Sequence, residues 1–245
     1  MSSKRLDRRL VSLTVPTSFE AEQYQALRLK LESLQRSRDF RLIAVTSAGV
    51  KEGKTVTAIN LAAALSQGSD ARVLLIEADL RRPAVARYLG LAENSPGLGD
   101  IIFDPGRTLD DAVLETGSRF KVVLAGATGV PIHELFRSRR LEALLHQARQ
   151  EYDYVVFDTP PLGPVSDCAL LARLIDGVLL VVAAHRTTRR VLEEALNLLE
   201  GGQVLGLVFN GDDRPFSKYR RYHNRGYFPP PRTESSQETH DSARL

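Results

Sequence analysis

Cysteine is almost missing from this 245-residue sequence: Cys168 stands alone. A disulfide framework is thereby excluded, and nothing near Cys168 has the spacing of a metal-ligand set, so a reducing, cytoplasmic setting is expected. Long hydrophobic runs are lacking too. The longest, Val178 to Ala184, falls far short of the roughly 20 apolar residues that cross a bilayer. The N-terminus lacks the apolar core of a secretory signal. A soluble chain is expected, one that meets the inner face of the cell membrane only through a partner. An excess of charge of one sign is also absent, because 33 Lys and Arg face 30 Asp and Glu. The small surplus is local: Lys4, Arg5, Arg8 and Arg9 at the start, and Lys218, Arg220, Arg221 and Arg225 near the end. The stretch between is not a basic nucleic-acid binder, and nucleic acid is not an expected partner. The terminal clusters read as solvated tails or as contacts for anionic lipid or an acidic partner.

With 43% hydrophobic and 26% charged residues, the chain suits one globular α/β domain with polar appendages. Apolar spacing at Tyr24, Leu27, Leu31 and Leu34 predicts an amphipathic helix over Glu20 to Arg36, started by Pro16-Thr17-Ser18. Strands are expected at 40–45, 72–78, 120–124, 154–158, 177–184 and 204–210, and helices at 56–65, 138–150 and 189–199; the stretch from 79 to 104 reads as polar, Gly- and Pro-bearing chain. Alternation of this kind, with near-continuous aliphatic strands such as Val73-Leu74-Leu75-Ile76, implies a mostly parallel sheet with helices on both faces. Ligands of such sheets bind at the carboxyl ends of the strands. Three segments are expected: an N-terminal arm and helix over 1–38, the main domain over 39–213, and a Ser/Thr/Glu-rich, flexible tail over 214–245.

The first strand runs into Thr46-Ser47-Ala48-Gly49-Val50-Lys51-Glu52-Gly53-Lys54-Thr55, and a helical pattern follows. Strand, glycine-bearing loop and helix together form an anion nest, because successive backbone N–H groups turn inward and the helix adds its positive end. Polyphosphate is the ligand that fits, so the fold class is α/β of the P-loop NTPase kind. Gly49, Val50, Lys51, Glu52, Gly53, Lys54, Thr55 and Val56 are the candidate nucleotide contacts. Lys54 would reach the outer phosphates, and the Thr55 hydroxyl would ligate Mg2+. Two strands end in carboxylates at the same edge. Alternation along the strand puts Glu77 and Asp79 on one face, and Asp158 ends another strand. Asp158 suits a metal-bound water; Asp79 or Glu77 would orient or deprotonate an incoming hydroxyl.

These phrases resemble a known family, the bacterial tyrosine autokinases of capsule and exopolysaccharide assembly. Its signature is a phosphate loop, an aliphatic strand ending Asp-x-Asp-x-Arg, another ending Asp-x-x-Pro, and a C-terminal tyrosine cluster. Lys54 and Thr55 match the first motif, Asp79 and Arg81 the second, Asp158 and Pro161 the third, and Tyr219, Tyr222 and Tyr227 supply the cluster. The resemblance, spanning about Glu20 to Tyr227, implies ATP and Mg2+ as cofactors. Lys54, Glu77, Asp79, Arg81 and Asp158 would be catalytic, Thr55, Asp79 and Asp158 would serve the metal, and the three tail tyrosines would be phosphoacceptors. It further implies a membrane partner of the chain-length-regulator type, trans-phosphorylation between copies, and a phosphotyrosine phosphatase. Three departures stand out: Glu77 replaces the family's first Asp, Gln25 replaces the middle Arg of Glu-x-x-Arg-x-x-Arg, and the Asn-Pro before the Glu-Leu helix is absent.

Two rivals stay open. A positioning or partition ATPase of the MinD/ParA kind shares the loop but has a second lysine where this chain has Gly49. An ATP-binding regulator that gates a polysaccharide exporter would keep the loop without efficient transfer. The alternative for the tail is an aromatic-basic segment that packs on the domain or binds RNA, a reading the three motifs disfavour. His133, His185 and His223 lack ligand spacing and read as structural, and Cys168 reads as a buried helix residue.

Overall fold

The computed structural model describes residues 6–68, 70–127, 131–163, 167–199 and 204–212, with side chains from 170 onward in the fourth stretch. The tail tyrosines Tyr219, Tyr222 and Tyr227 and the side chain of Cys168 lie outside the described residues. A seven-stranded sheet organises the molecule, in the order β3-β4-β2-β5-β1-β6-β7. Its strands are β1 (Leu42–Ser47), β2 (Val73–Glu77), β3 (Val113–Glu115), β4 (Lys121–Val123), β5 (Tyr154–Asp158), β6 (Gly177–Ala183) and β7 (Val204–Asn210). All neighbours run parallel except β3, which pairs antiparallel with β4.

Alternate residues of the central strands feed two cores, one on each face. Leu42, Ala44, Leu74, Ile76, Val155 and Phe157 pack beneath α5 (Leu98–Phe103), α6 (Ile132–Leu135), α7 (Arg139–Glu151), α8 (Asp167–Ala172) and α9 (Arg189–Leu196). On the other face Ile43, Val45, Val73, Leu75 and Val156 meet α1 (Val11–Thr14), α2 (Phe19–Ser37), α3 (Lys54–Ser66) and α4 (Val85–Leu89).

Helix α3 is apolar on nearly every side because it lies between the sheet and a second layer. Ala58, Ile59 and every residue from Leu61 to Leu65 are buried. The buried Asn60 Oδ1 accepts the Ser12 N–H at 2.8 Å, and its Nδ2 donates to the Arg9 and Val56 carbonyls. That amide straps the N-terminal arm across α3 and buries Leu10 completely. Helix α2 begins as its Ser-containing start predicts, with the Ser18 hydroxyl accepting the Ala21 N–H.

Candidate active site

Parallel pairing sets the carboxyl ends of β1, β2 and β5 side by side: Asp158 lies opposite Glu77 on one neighbour and Val45 on the other. The backbone binds them further, since Ala78 and Asp79 both donate to the Asp158 carbonyl, at 2.8 and 3.0 Å. The phosphate loop leaves β1 at this edge. Its sharp path requires left-handed backbone at Lys51 (φ 60°) and Gly53 (φ 95°). Helix α3 starts at Lys54 immediately after.

Lys54 Nζ sits between two carboxylates, 2.8 Å from Asp79 Oδ2 and 3.4 Å from Asp158 Oδ1. All three side chains are nearly out of water, at 12%, 6% and 1% exposure. Burial alone would lower the Lys54 ammonium, but the facing Asp158 and Asp79 charges more than offset it and its pKa ends raised. Asp158 is pushed up to about 6 by burial, against the pull of Lys54 and the Thr55 hydroxyl. Its second oxygen, Oδ2, is buried and has no hydrogen-bond partner among the described residues. An orphaned carboxylate oxygen next to a threonine hydroxyl, in a cluster holding a cation, is what a hard divalent ion would occupy. Among the described residues no three His, Cys, Asp or Glu side chains make a metal site by themselves. Thr55, Asp79 and Asp158 therefore fit Mg2+ shared with a polyphosphate, not a protein-only cage.

Of the residues singled out from sequence, Lys54, Thr55, Asp79 and Asp158 converge. Glu77 lies close enough for its charge to act on Asp79 and Asp158, but its oxygens are turned to backbone amides and not to Lys54. Its Oε1 accepts the Ala84 and Val85 N–H groups at 2.5 and 2.7 Å, and its Oε2 accepts the Ala125 N–H at 3.1 Å. Burial raises its pKa while these amides pull it down. With both oxygens engaged, Glu77 anchors the loop into α4 and the chain just beyond β4. Arg81 is exposed, at the exit from the same strand end.

Three residues that touch the phosphate loop were missed from sequence: Arg186, Thr187 and Asn210 reach it from the β6–α9 connection and the end of β7. Glu52, named from sequence as a loop residue, is buried. Asn210 carried a signal, since it is a polar residue closing an apolar strand, as Asp158 is. Of the histidines read as structural, His185 takes left-handed backbone (φ 61°) and faces Asp212 at 3.3 Å.

An AAA domain family matches residues 40–200, more than half of the chain. The tyrosine-protein kinase YwqD of Bacillus subtilis (strain 168) is 33% identical over 227 residues, covering 91% of this chain and 92% of that protein. The chain belongs to the bacterial tyrosine-protein kinases. The kinase domain of the Escherichia coli tyrosine kinase ETK superposes on this family member with a TM-score of 0.78 at 29% identity, over 86% of this chain and 82% of that one. The succinoglycan biosynthesis transport protein ExoP of Rhizobium meliloti (strain 1021) is 33% identical and covers 87% of this chain, which spans only 27% of ExoP. A ParA family ATPase from Chlorobium tepidum TLS reaches a TM-score of 0.58 at 23% identity. That likeness is one of fold, and the bacterial tyrosine-protein kinases share the P-loop α/β architecture with it.

Proposed function

We propose that the protein binds Mg-ATP and transfers the γ-phosphoryl group to tyrosine hydroxyls, chiefly Tyr219, Tyr222 and Tyr227 of its own or a neighbouring copy, in the control of capsule or exopolysaccharide synthesis and export. The observation that carries the reading is Lys54 held between Asp79 and Asp158, with one Asp158 carboxylate oxygen lacking a partner among the described residues, in a chain similar over most of its length to a named tyrosine-protein kinase. On this reading Lys54 leaves its resting carboxylate pair and neutralises charge on the transferring phosphoryl group. Mg2+, when bound by Thr55 and Asp158, would screen the phosphate oxygens. Asp79, released from Lys54, accepts the proton of the incoming phenol, whose pKa is about 10 when unperturbed. The phenol oxygen bonds to the γ-phosphorus as the bond to the β-phosphate oxygen breaks, leaving ADP. Glu77 holds the loop that carries Arg81 and shapes the acceptor side.

No helix among the described residues is long and apolar enough to span a membrane. A membrane partner of the chain-length-regulator type would bring the kinase to the inner face of the membrane and activate it. Copies of the chain would serve as one another's substrates, and a phosphatase would reset the tail. The MinD/ParA-like alternative draws only on shared fold, and Gly49 stands where its second loop lysine belongs. The test is to incubate the protein with Mg-ATP, with and without a cytoplasmic segment of such a partner, and map phosphate by mass spectrometry. Modification of tail tyrosines that disappears in Lys54→Met supports the kinase. Phosphate release with no tyrosine modified supports the ATPase, and nucleotide binding with neither supports the exporter-gating regulator.

A further inference from the structure

Inside the phosphate loop, Glu52 is a carboxylate without an ion pair among the described residues. It is 6% exposed. Its Oε2 accepts the Gly49 N–H at 3.1 Å, and its Oε1 accepts the Thr187 hydroxyl at 2.5 Å. Thr187 is fixed in turn, because its Oγ1 accepts the Ala183 N–H at 3.1 Å where β6 ends. Two more side chains brace the same loop through its carbonyls: Arg186 Nη1 donates to Lys51 at 3.2 Å, and Asn210 Nδ2 to Glu52 at 2.9 Å. The contact is close enough that a Cβ at Gly53 would lie 1.9 Å from Asn210 Nδ2. The loop is thus tied across its two left-handed residues to elements that carry none of the phosphate-loop motif.

We propose that Glu52 is a positioning residue for the nucleotide, a strut that keeps the phosphate loop in its accepting shape by joining its first amide to Thr187. The chemistry explains why an acid stands there. Two donors, an N–H and an O–H, point at one side chain, and a carboxylate accepts both, whereas an amide would turn its own donor toward one of them. A buried charge is costly without compensation, so its retention beside an anion site calls for a gain. The gain is preorganisation: a loop already shaped does not lose its ordering entropy again when polyphosphate arrives. Glu52 would then govern nucleotide affinity without touching the reacting atoms. The inference rests on the nucleotide-binding half of the proposed function and not on tyrosine as the acceptor.

The test compares Glu52→Ala, Thr187→Val and Thr187→Ser in the full chain, using a fluorescent ADP analogue with Mg2+ for affinity and amide hydrogen exchange of the nucleotide-free loop. Affinity should weaken by roughly tenfold in Glu52→Ala and Thr187→Val, with faster exchange over the loop amides, and Thr187→Ser should restore both. The KM for ATP should rise while kcat for phosphoryl transfer, or for phosphate release, stays within about twofold. Unchanged affinity in Thr187→Val, Thr187→Ser as weak as Thr187→Val, or a lower kcat at unchanged affinity each overturns the proposal. If Glu52→Ala does not fold, the two Thr187 variants decide alone. Wild-type protein that binds the analogue but modifies no tyrosine even with the partner's cytoplasmic segment present refutes the kinase reading and leaves this one standing.

Discussion

Asp158 and Asp176 sit at opposite edges of the same sheet and are treated in opposite ways. Asp176 has every oxygen served: Oδ2 accepts the Arg41 and Leu42 N–H groups at 2.8 Å and Arg149 Nη1 at 2.9 Å, while Oδ1 takes Arg149 Nη2 at 2.6 Å. Burial pushes its carboxyl up, but the Arg149 bond and the two amides more than reverse that, and its pKa ends lowered. Asp158 is more deeply buried, shares its cation with Asp79, leaves one oxygen without a hydrogen-bond partner among the described residues and is pushed up to about 6. The first aspartate spends all its hydrogen-bonding capacity on the protein, closing the entry of β6 against β1. The second holds capacity back, which costs stability and is useful only if something else arrives to take it.

The largest effect expected is from Lys54→Met. It removes the cation held between the two carboxylates, and phosphoryl transfer should fall by about 10²–10³, the loss typical of a charge-stabilising group. Radiolabelled phosphate transfer to the tail measures this. Next comes an exchange of phenotypes between the two aspartates. Asp176→Asn should lower stability by about 1.5–3 kcal/mol, the worth of hydrogen bonds to a charged group, with Mg-ATP affinity unchanged. Asp158→Asn should abolish the Mg2+ dependence of binding while leaving the unfolding midpoint unchanged or higher, because it deletes a buried charge lacking full compensation. Denaturant unfolding and nucleotide titration of both variants check the pair. If Asp158→Asn destabilises the nucleotide-free protein as much as Asp176→Asn does, the contrast between the two edges is lost.

Glu77 gives a third test. Glu77→Asp installs the shorter acid that the family pattern has at this position, and that side chain is one methylene too short to serve all three amides from where it stands. A loss of about 1–3 kcal/mol is expected, the penalty of one buried donor left unsatisfied, with KM for ATP unaltered. A variant as stable as wild type would show that the loop into α4 relaxes to follow the acid.

How much of this was readable beforehand depended on whether the signal was local. Strands β5 and β7 have the expected ends because their apolar runs are bounded by polar residues, and Lys54, Thr55, Asp79 and Asp158 were legible because loop and strand-end positions imply one edge. Strand β3 was not, since three residues after a single helical turn at Asp110–Ala112 carry no period. Helices α4 and α5 lie in the stretch read as irregular chain. Each is five or six residues long, and each is tied by a carboxylate to a distant amide: Glu77 reaches Ala125, and Asp100 accepts the Ala127 N–H. The hydrogen bonds of Glu77 were hidden for the same reason, as its partners lie seven, eight and 48 positions away. Thr187 and Asn210 act on a loop more than a hundred residues earlier.

The smallest effect expected is the pH dependence, and it separates the two edges without any mutation. Asp158 has its folded pKa raised from 3.8 to about 6, so its contribution to the stability of the nucleotide-free protein is fully present below about pH 4 and is lost as pH rises through about 6. Asp176 is lowered, so its contribution is present above the ordinary carboxylate range and is lost as pH falls below it. On the proposed reading Mg2+ would compete with the proton at Asp158, and Mg2+-dependent nucleotide binding should weaken by about tenfold per unit below pH 6. Binding and thermal unfolding measured from pH 5 to 8, with and without Mg2+, give both slopes. In Asp158→Asn the slope between pH 5 and 7 should flatten, and in Asp176→Asn it should persist. Equal slopes in wild type and Asp158→Asn would mean that Asp158 is not the group that exchanges a proton in this range, and the contrast drawn between the two aspartates would fall.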